Sequence, residues 1–326
     1  MATRRAPPNA FSNPSVMTAL ASSPKLGTAA SPPSSFPLRA FFGHHKCATG
    51  WTGGTLREIA LHLGRTFRVI NRSKDFEDEG SLGAFVENND VEFLSYANAN
   101  INDARTLPLH RGFHVVRDPR DVLVSGYFSH RKTHGTEGWP ELIEHRTRLR
   151  SVSKEEGLLA EMEFSAPFFE EMKTWDYEQD NVLELKMEAL TANPLRHFLR
   201  IARFLEVLDE SATSDGIYRL TRRLASLSNR WNHRGRRFMP GHVPMFPTPK
   251  VKLDTLSAEV IADIIEKRTF EKLTGRKKGQ ENRNTHLRKG VPGDWANHFT
   301  PKHTQAFKDR YNDLLLKLGY VDSPDW

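Results

Sequence analysis

Three stretches of this sequence carry residue types and spacings suited to holding a multiply charged anion. The first is Phe41-Phe42-Gly43-His44-His45-Lys46-Cys47-Ala48-Thr49-Gly50-Trp51-Thr52-Gly53-Gly54-Thr55. Leu38–Phe42 reads as a short buried strand, and Leu56, Ile59, Ala60 and Leu63 recur at i, i+3, i+4 and i+7, the apolar stripe of a helix. A strand that feeds a small-residue loop opening a helix presents free backbone N–H groups and the positive end of the helix dipole to a ligand. Lys46 adds a point charge, and Thr49 and Thr52 add hydroxyl donors. The Gly-x-x-x-x-Gly-Lys-Ser/Thr pattern is absent and Lys46 precedes the turn, which disfavours a nucleotide kinase or other P-loop hydrolase.

The second stretch is Arg117-Asp118-Pro119-Arg120-Asp121-Val122-Leu123-Val124-Ser125. Arg117 stands at a strand end and Ser125 about a turn into a helix, so the two can offer a guanidinium fork and a hydroxyl to one phosphate. Taken singly, a salt-bridged arginine and a packed serine fit as well. The third is Leu287-Arg288-Lys289-Gly290-Val291-Pro292-Gly293-Asp294-Trp295. It joins a basic pair to glycines that tolerate positive φ, features of a phosphate loop that a surface turn shares.

These stretches need elements to position them. Strand patterns occur at 66–70, 91–96, 112–116 and 182–185, with helical patterns between several of them, including 121–132 and a long one around 155–177. Such alternation predicts an α/β fold, a central parallel sheet with helices on both faces, whose ligands sit at the carboxyl ends of the strands. Phe198, Ile201, Ala202 and Leu205 form a further helical core stripe.

The order Lys46-Cys47-Ala48-Thr49-Gly50-Trp51 resembles the phosphosulfate loop of sulfotransferases, and the segment from Arg117 to Ser125 resembles their 3′-phosphate motif. Arg288-Lys289-Gly290 through Thr300 is close to the element that ends those enzymes, and it is the most specific match in the chain. Thr269-Phe270-Glu271-Lys272-Leu273 is similar to the family segment whose Phe packs on adenine. The resemblance spans roughly residues 38–320. It implies a P-loop-like sulfotransferase fold that binds 3′-phosphoadenosine 5′-phosphosulfate (PAPS) as co-substrate, with no sequence case for magnesium or zinc. Lys46, Cys47, Ala48, Thr49, Gly50 and Trp51 would cradle the phosphosulfate and one side of the adenine. Arg117, Ser125, Arg288, Lys289 and Gly290 would hold the 3′-phosphate, and Phe270 the other face of the base. Met187 stands where the family usually has a cofactor-contacting Tyr.

The resemblance is weakest at the general base. Cytosolic members place a His at the end of the third strand, whereas this chain has Ser95-Tyr96-Ala97-Asn98-Ala99-Asn100 there. Other members use a Glu soon after the second strand, which makes Asp75 and Glu77 the candidates, although four neighbouring acids also read as a polar loop. His44 and His45 are a further choice, or supports for Lys46. The function expected is sulfuryl transfer to a hydroxyl or amine of a small organic acceptor. A catalytically inactive nucleotide- or polyanion-binding module on the same fold is the alternative.

With 326 residues, 47 Lys and Arg against 40 acids and a formal charge of +7, the chain suits an anionic ligand, but the charge is too diffuse to indicate nucleic acid. Seven arginines between Arg219 and Arg237, ahead of Pro240, Pro244, Pro247 and Pro249, read as a solvated face or as a basic lid favouring an anionic acceptor. Cys47 is the only cysteine, which precludes an intrachain disulfide. No apolar run approaches the roughly 18 residues of a membrane span. The expected location is cytoplasmic. Residues 1–37 are rich in Ser, Pro and Ala and contain no acid, the composition of a disordered tail or of an organelle transit peptide. The remainder, 38–326, reads as a single domain. Deleting residues 1–36 is expected to leave soluble expression and nucleotide binding intact, as measured by yield and thermal shift; loss of soluble protein would make the tail part of the fold.

Overall fold

A computed structural model describes residues 38–210, 216–238 and 251–326, with the side chains of 217–219 and 231–238 outside the description. The expectations for 1–37 and for Pro240–Pro249 lie outside the described residues. Five strands form one parallel sheet: β1 Leu38–Gly43, β2 Phe67–Ile70, β3 Phe93–Tyr96, β4 His110–Val116 and β5 Val182–Lys186, in the order β2-β3-β1-β4-β5. The chain steps outward from β1 to β2 and back to β3, then crosses to the other side of β1 for β4. That reversal leaves a crevice above the carboxyl ends of β1 and β4, where an open α/β sheet takes its ligands. Gly43 pairs with Val115, so the residues that follow each strand emerge side by side.

Alternation along β1 divides the core. Phe41 faces α1 (Thr49–Leu63), where Leu56, Ile59, Ala60 and Leu63 are buried with Phe93, Phe113 and Val115. Leu38, Ala40 and Phe42 face the other way, against Leu94, Tyr96 and Trp175. Phe41 stacks on Phe113 at 5.0 Å between ring centroids. Gly53 brings α1 close to β3, since a Cβ there would stand 2.4 Å from Ser95 Oγ.

After β4, Asp118 caps α2 (Pro119–Phe128) by accepting from the Arg120 N–H at 2.9 Å. The helix then widens into a π turn, Ser129–Thr133. Next come α3 (Pro140–Ser151), which no sequence pattern indicated, α4 (Lys154–Phe164) and α5 (Ala166–Thr174). The single long helix expected around 155–177 is therefore two. Pro167 in the first turn of α5 has no N–H to continue the ladder of α4, and its ring excludes the carbonyl one turn back. Trp175 leaves the helix to be buried beneath the sheet.

Helix α6 (Pro194–Phe204) buries Phe198, Ile201 and Ala202 as its stripe requires. The basic stretch read as a solvated face or a lid contains α7 (Gly216–Phe238), which packs on α1 through Ser226 and His62, 2.6 Å apart, and through Arg230 with Glu58 at 2.6 Å. Arg222 bonds Thr255 and Arg223 pairs with Asp263, so these three arginines are engaged within the molecule. Helices α8 (Ala258–Glu266) and α9 (Pro301–Lys317) complete the two covering layers. No helix among the described residues is long and apolar enough to cross a membrane.

Candidate active site

The loop after β1 is bent to present its backbone. Lys46 and Ala48 hold left-handed conformations, φ 64° and 59°, a strained choice for residues with a Cβ. Left-handed residues alternating with ordinary ones are the backbone pattern of an anion nest, although the Cys47 N–H here donates to the His44 carbonyl at 3.1 Å. Ala48 stands at the N-cap of α1 without a side-chain cap, so the helix end carries donors that no protein side chain satisfies. One turn in, the buried Thr52 hydroxyl has no hydrogen-bond partner among the described residues. Open donors at a positive helix end fit a phosphate or sulfate group. Cys47, by contrast, is core: burial pushes its thiol up to about 12.

Beside the loop lies a cavity of about 300 Å³ lined by Ala48, Trp51, Arg117, Ser125, Phe270, Arg288, Lys289 and Gly290. Residues more than 230 positions apart in sequence thus share one wall. Arg117 donates to the Lys46 carbonyl at 3.3 Å and so bridges the ends of β1 and β4. The Trp51 indole is fixed by donating to the Arg268 carbonyl at 2.7 Å and by an edge contact with Phe198. Gly290, at φ 70°, leaves room for the Phe270 ring: a Cβ there would lie 2.7 Å from it. Met187 also lines the cavity, at the position where the resemblance implies a Tyr. Lys46, Cys47, Thr49 and Gly50 are outside its lining.

Two buried carboxylates hold the basic loop in place. Asp294 accepts from Arg288 at 2.5 Å, from Lys289, and from Asn297 at 2.9 Å. Burial opposes its charge, yet these donors keep its pKa well below the ordinary carboxylate range. Asp121 on α2 accepts from the backbone N–H groups of Gly293 and Trp295, at 2.6 and 2.9 Å. Arg120 is clamped between the rings of Trp295 and Trp326, 4.1 and 4.5 Å from their centroids, and paired to Asp118. These contacts tie the third anion-binding stretch to the helix that carries the second.

On the far side of Lys46 is a group of histidines that sequence reasoning saw only at His44 and His45. His44 is fully buried edge-on to His114, and neither of its ring nitrogens has a hydrogen-bond partner among the described residues. His45 Nε2 meets His130 Nε2 at 2.9 Å. His130 Nδ1 and His145 Nε2 each lie 2.8 Å from one oxygen of the buried Glu161, which also accepts from the Ser165 hydroxyl. His134 and His286 extend the group, with ring centroids 5.7 Å apart, and His286 lines the cavity. The local signal was the four-residue spacing of His130 and His134; His145 comes from α3, Glu161 from α4 and His286 from the loop before Arg288.

Asp75 and Glu77 are exposed on a 3₁₀ helix, Ser73–Glu79, and neither lines the cavity. Asp75 accepts from the Asn71 N–H at 2.6 Å. Arg72, at the start of the same segment, has its guanidinium 5.6 Å from the centroid of Trp139, whose ring in turn meets His45, His130 and His134.

Burial, with Arg117 adding to it, lowers the Lys46 pKa to about 8. Burial and the charge of Lys46 likewise bring His134 down to about 3 and depress His286. The site therefore combines one adjustable ammonium, fixed cations and neutral imidazoles.

The family model described as the sulfotransferase domain matches residues 111–224 and 252–319, more than half of the chain. It takes in the second and third anion-binding stretches and leaves the Lys46 loop outside the match. Among solved structures, the chain is similar to mouse sulfotransferase SULT7A1 complexed with PAP (3′-phosphoadenosine 5′-phosphate). That likeness has 16% identity over 87% of this chain and 86% of the other, with a TM-score of 0.46. It is also similar to retinol dehydratase in complex with androsterone and inactive cofactor PAP, at 17% identity over 86% and 82% of the two chains, with a TM-score of 0.44. No curated protein sequence matches.

An anion held against Lys46 would bind with proton linkage. A bound phosphate favours the ammonium, so above pH 8 the ligand must bring a proton with it. The dissociation constant for PAP is expected to rise about tenfold between pH 7 and pH 9, measured by calorimetry. A constant value across that range would show that Lys46 is not part of the anion site.

Proposed function

The chain belongs to the sulfotransferase domain family, and on that premise we propose that it moves the sulfuryl group of PAPS to a hydroxyl or amine of a small organic acceptor. The observation that carries the reading is one cavity shared by Arg117 and Ser125 of the second stretch, Arg288 and Lys289 of the third, and the aromatic pair Trp51 and Phe270. PAPS supplies, when bound, a sulfuryl group activated by its phosphate leaving group. Arg117, Ser125, Arg288, Lys289 and the backbone of Gly290 hold the 3′-phosphate, and Trp51 and Phe270 flank the adenine. The backbone donors from Ala48 to Gly50, at the start of α1, hold the 5′ end. Sulfuryl transfer resembles phosphoryl transfer in spreading charge over the equatorial oxygens, so positioning and fixed charge do most of the work. In this reading Lys46 supplies the point charge against the bond that breaks.

The binding half of the proposal is tested by stability. At about 100 times its dissociation constant, PAP should stabilise the protein by about 2.7 kcal/mol in denaturant titrations. Adenosine 5′-monophosphate should give clearly less, because it leaves Arg117, Ser125 and Arg288 without a phosphate to hold. Equal stabilisation by the two would remove the 3′-phosphate assignment. The transfer half is tested with labelled PAPS and a panel of phenols, alcohols, amines and sugars, where label in an acceptor is expected and binding without transfer would leave only a nucleotide-binding module.

Lys46→Ala separates chemistry from retention of the nucleotide. Steady-state transfer with PAPS varied at saturating acceptor should show kcat reduced by about 10²–10³ and a much smaller change in KM. Lys46→Arg should not restore the rate, because a planar guanidinium cannot place a point charge in the same tight loop. A raised KM with kcat intact would reduce Lys46 to a binding residue.

A further inference from the structure

Transfer to a neutral hydroxyl or amine needs a group to take its proton, and Asp75 and Glu77 stand exposed on their 3₁₀ helix, with Asp75 accepting from the Asn71 N–H. The histidines beside Lys46 form a directed chain instead. Ionised Glu161 can only accept, so His130 Nδ1, at 2.8 Å, must carry a proton and donate it. In neutral His130 that leaves Nε2 as a lone pair. His45 Nε2, 2.9 Å away, must then be the donor, and the free lone pair of the chain falls on His45 Nδ1. Glu161 is held by His130, His145 and Ser165, and although burial opposes its ionisation, the two histidines keep its pKa below the ordinary value. His45 is the residue next to Lys46, whose charge also bears on it.

We propose that His45 is the general base of the transfer, with His130 and Glu161 as the positioning residues that carry its proton inward. The inference rests on the sulfotransferase reading above. As the acceptor oxygen or nitrogen forms its bond to sulfur, its proton passes to His45 Nδ1. His45 Nε2 then gives its proton to His130 Nε2, so the positive charge comes to rest beside Glu161. The electron pair of the breaking S–O bond leaves on the 5′-phosphate, opposite the charge of Lys46. The relay answers an electrostatic difficulty. Burial, with the charges of Lys46 and Arg72 adding to it, lowers the His45 pKa well below the ordinary value, so an imidazolium fixed at His45 would be costly. Moving the charge one ring inward sets it against a buried carboxylate.

Ligand atoms of His45, His130 and His134 lie within 4.8 Å of one another, a grouping that could also hold a cation. Two imidazoles on one tetrahedral zinc, at about 2.0–2.1 Å each, stand about 3.3 Å apart. The 2.9 Å between His45 and His130 is a hydrogen-bond distance, and Lys46 and Arg72 already make the surroundings positive. The geometry favours the proton relay.

Two measurements on the full-length protein test it. In the PAP complex, ¹⁵N-histidine NMR should show His45 protonated at Nε2 and a strongly downfield ring proton on His130 Nδ1 that Glu161→Gln abolishes. Absence of that Glu161-dependent proton overturns the relay. In transfer assays with the best acceptor of the panel, His45→Gln and Glu161→Gln should each lower kcat by about 10²–10⁴, with KM for PAPS and stabilisation by PAP retained. The groups facing His45 and His130 are Lys46, Arg72, His134, His145, Arg146, Glu161 and His286, and among them the relay alone accounts for the expected profile. With a phenol as acceptor, the wild-type rate should be level from the ordinary histidine range up to the pH at which Lys46 loses its proton, whereas over that same interval the rate of His45→Gln should climb with pH as the phenol itself ionises. His130→Gln should reproduce the loss, which guards against a folding defect peculiar to Glu161→Gln. Wild-type kcat and pH profile in His45→Gln would overturn the relay, as would stoichiometric zinc lost on that substitution. Failure of wild-type protein to bind PAP would instead sink the sulfotransferase reading, a separate observation.

Discussion

Gathering cations in one place against their mutual repulsion is the constraint on which this site depends. Two like charges 4 Å apart repel by about 4 kcal/mol at the effective dielectric of a protein surface. Arg288 and Lys289 are adjacent in sequence and both line the cavity, which is possible because the buried carboxylate of Asp294 touches both. Asp121 does the equivalent for the backbone, drawing the N–H groups of Gly293 and Trp295 onto α2. Arg117 is relieved in turn by the Lys46 carbonyl and, at 4.0 Å, by Asp121. The acids near the cavity are therefore counterweights to the cations that face the ligand.

Lys46 is handled differently. Its ammonium is desolvated, and its neighbours on one side are imidazoles held neutral by burial and by its own charge. A wall of neutral histidines adds donors and acceptors without adding charge, which leaves Lys46 free to respond to an incoming anion. Glu161 supplies the one buried negative charge in the histidine group, and it does so two rings away from Lys46 along the hydrogen-bonded chain. Proton movement along that chain and charge neutralisation at Lys46 can thus proceed on opposite sides of the same loop.

The sheet makes both arrangements possible by crossing over at β1. Because β3 and β4 flank β1, the strand ends that carry Lys46 and Arg117 emerge together, while α2 and its π turn carry Ser125 toward the cavity and His130 toward His45. One helix with its terminal turn therefore serves the binding wall and the proton path.

Much of this was legible in the order of residues. The five strands, the loop before α1, the stripe of α6 and the Arg-Lys-Gly stretch are local patterns, and periodicity or turn chemistry over a few residues determines them. Glu155 to Tyr177 shows the limit of such reading: apolar spacing continued through Pro167, but the missing N–H there ended the ladder. Between Gly216 and Phe238 the arginines suggested a face or a lid, and the partners that engage Arg222, Arg223 and Arg230 lie 33 to 172 positions away. The histidine chain was beyond local reading for the same reason. His45 and His130 are 85 residues apart and His130 and Glu161 are 31, so their meeting is decided by how β1, the π turn and α4 pack. Sequence fixes what each residue can donate, accept or neutralise; only the folded chain decides which of them share a hydrogen bond.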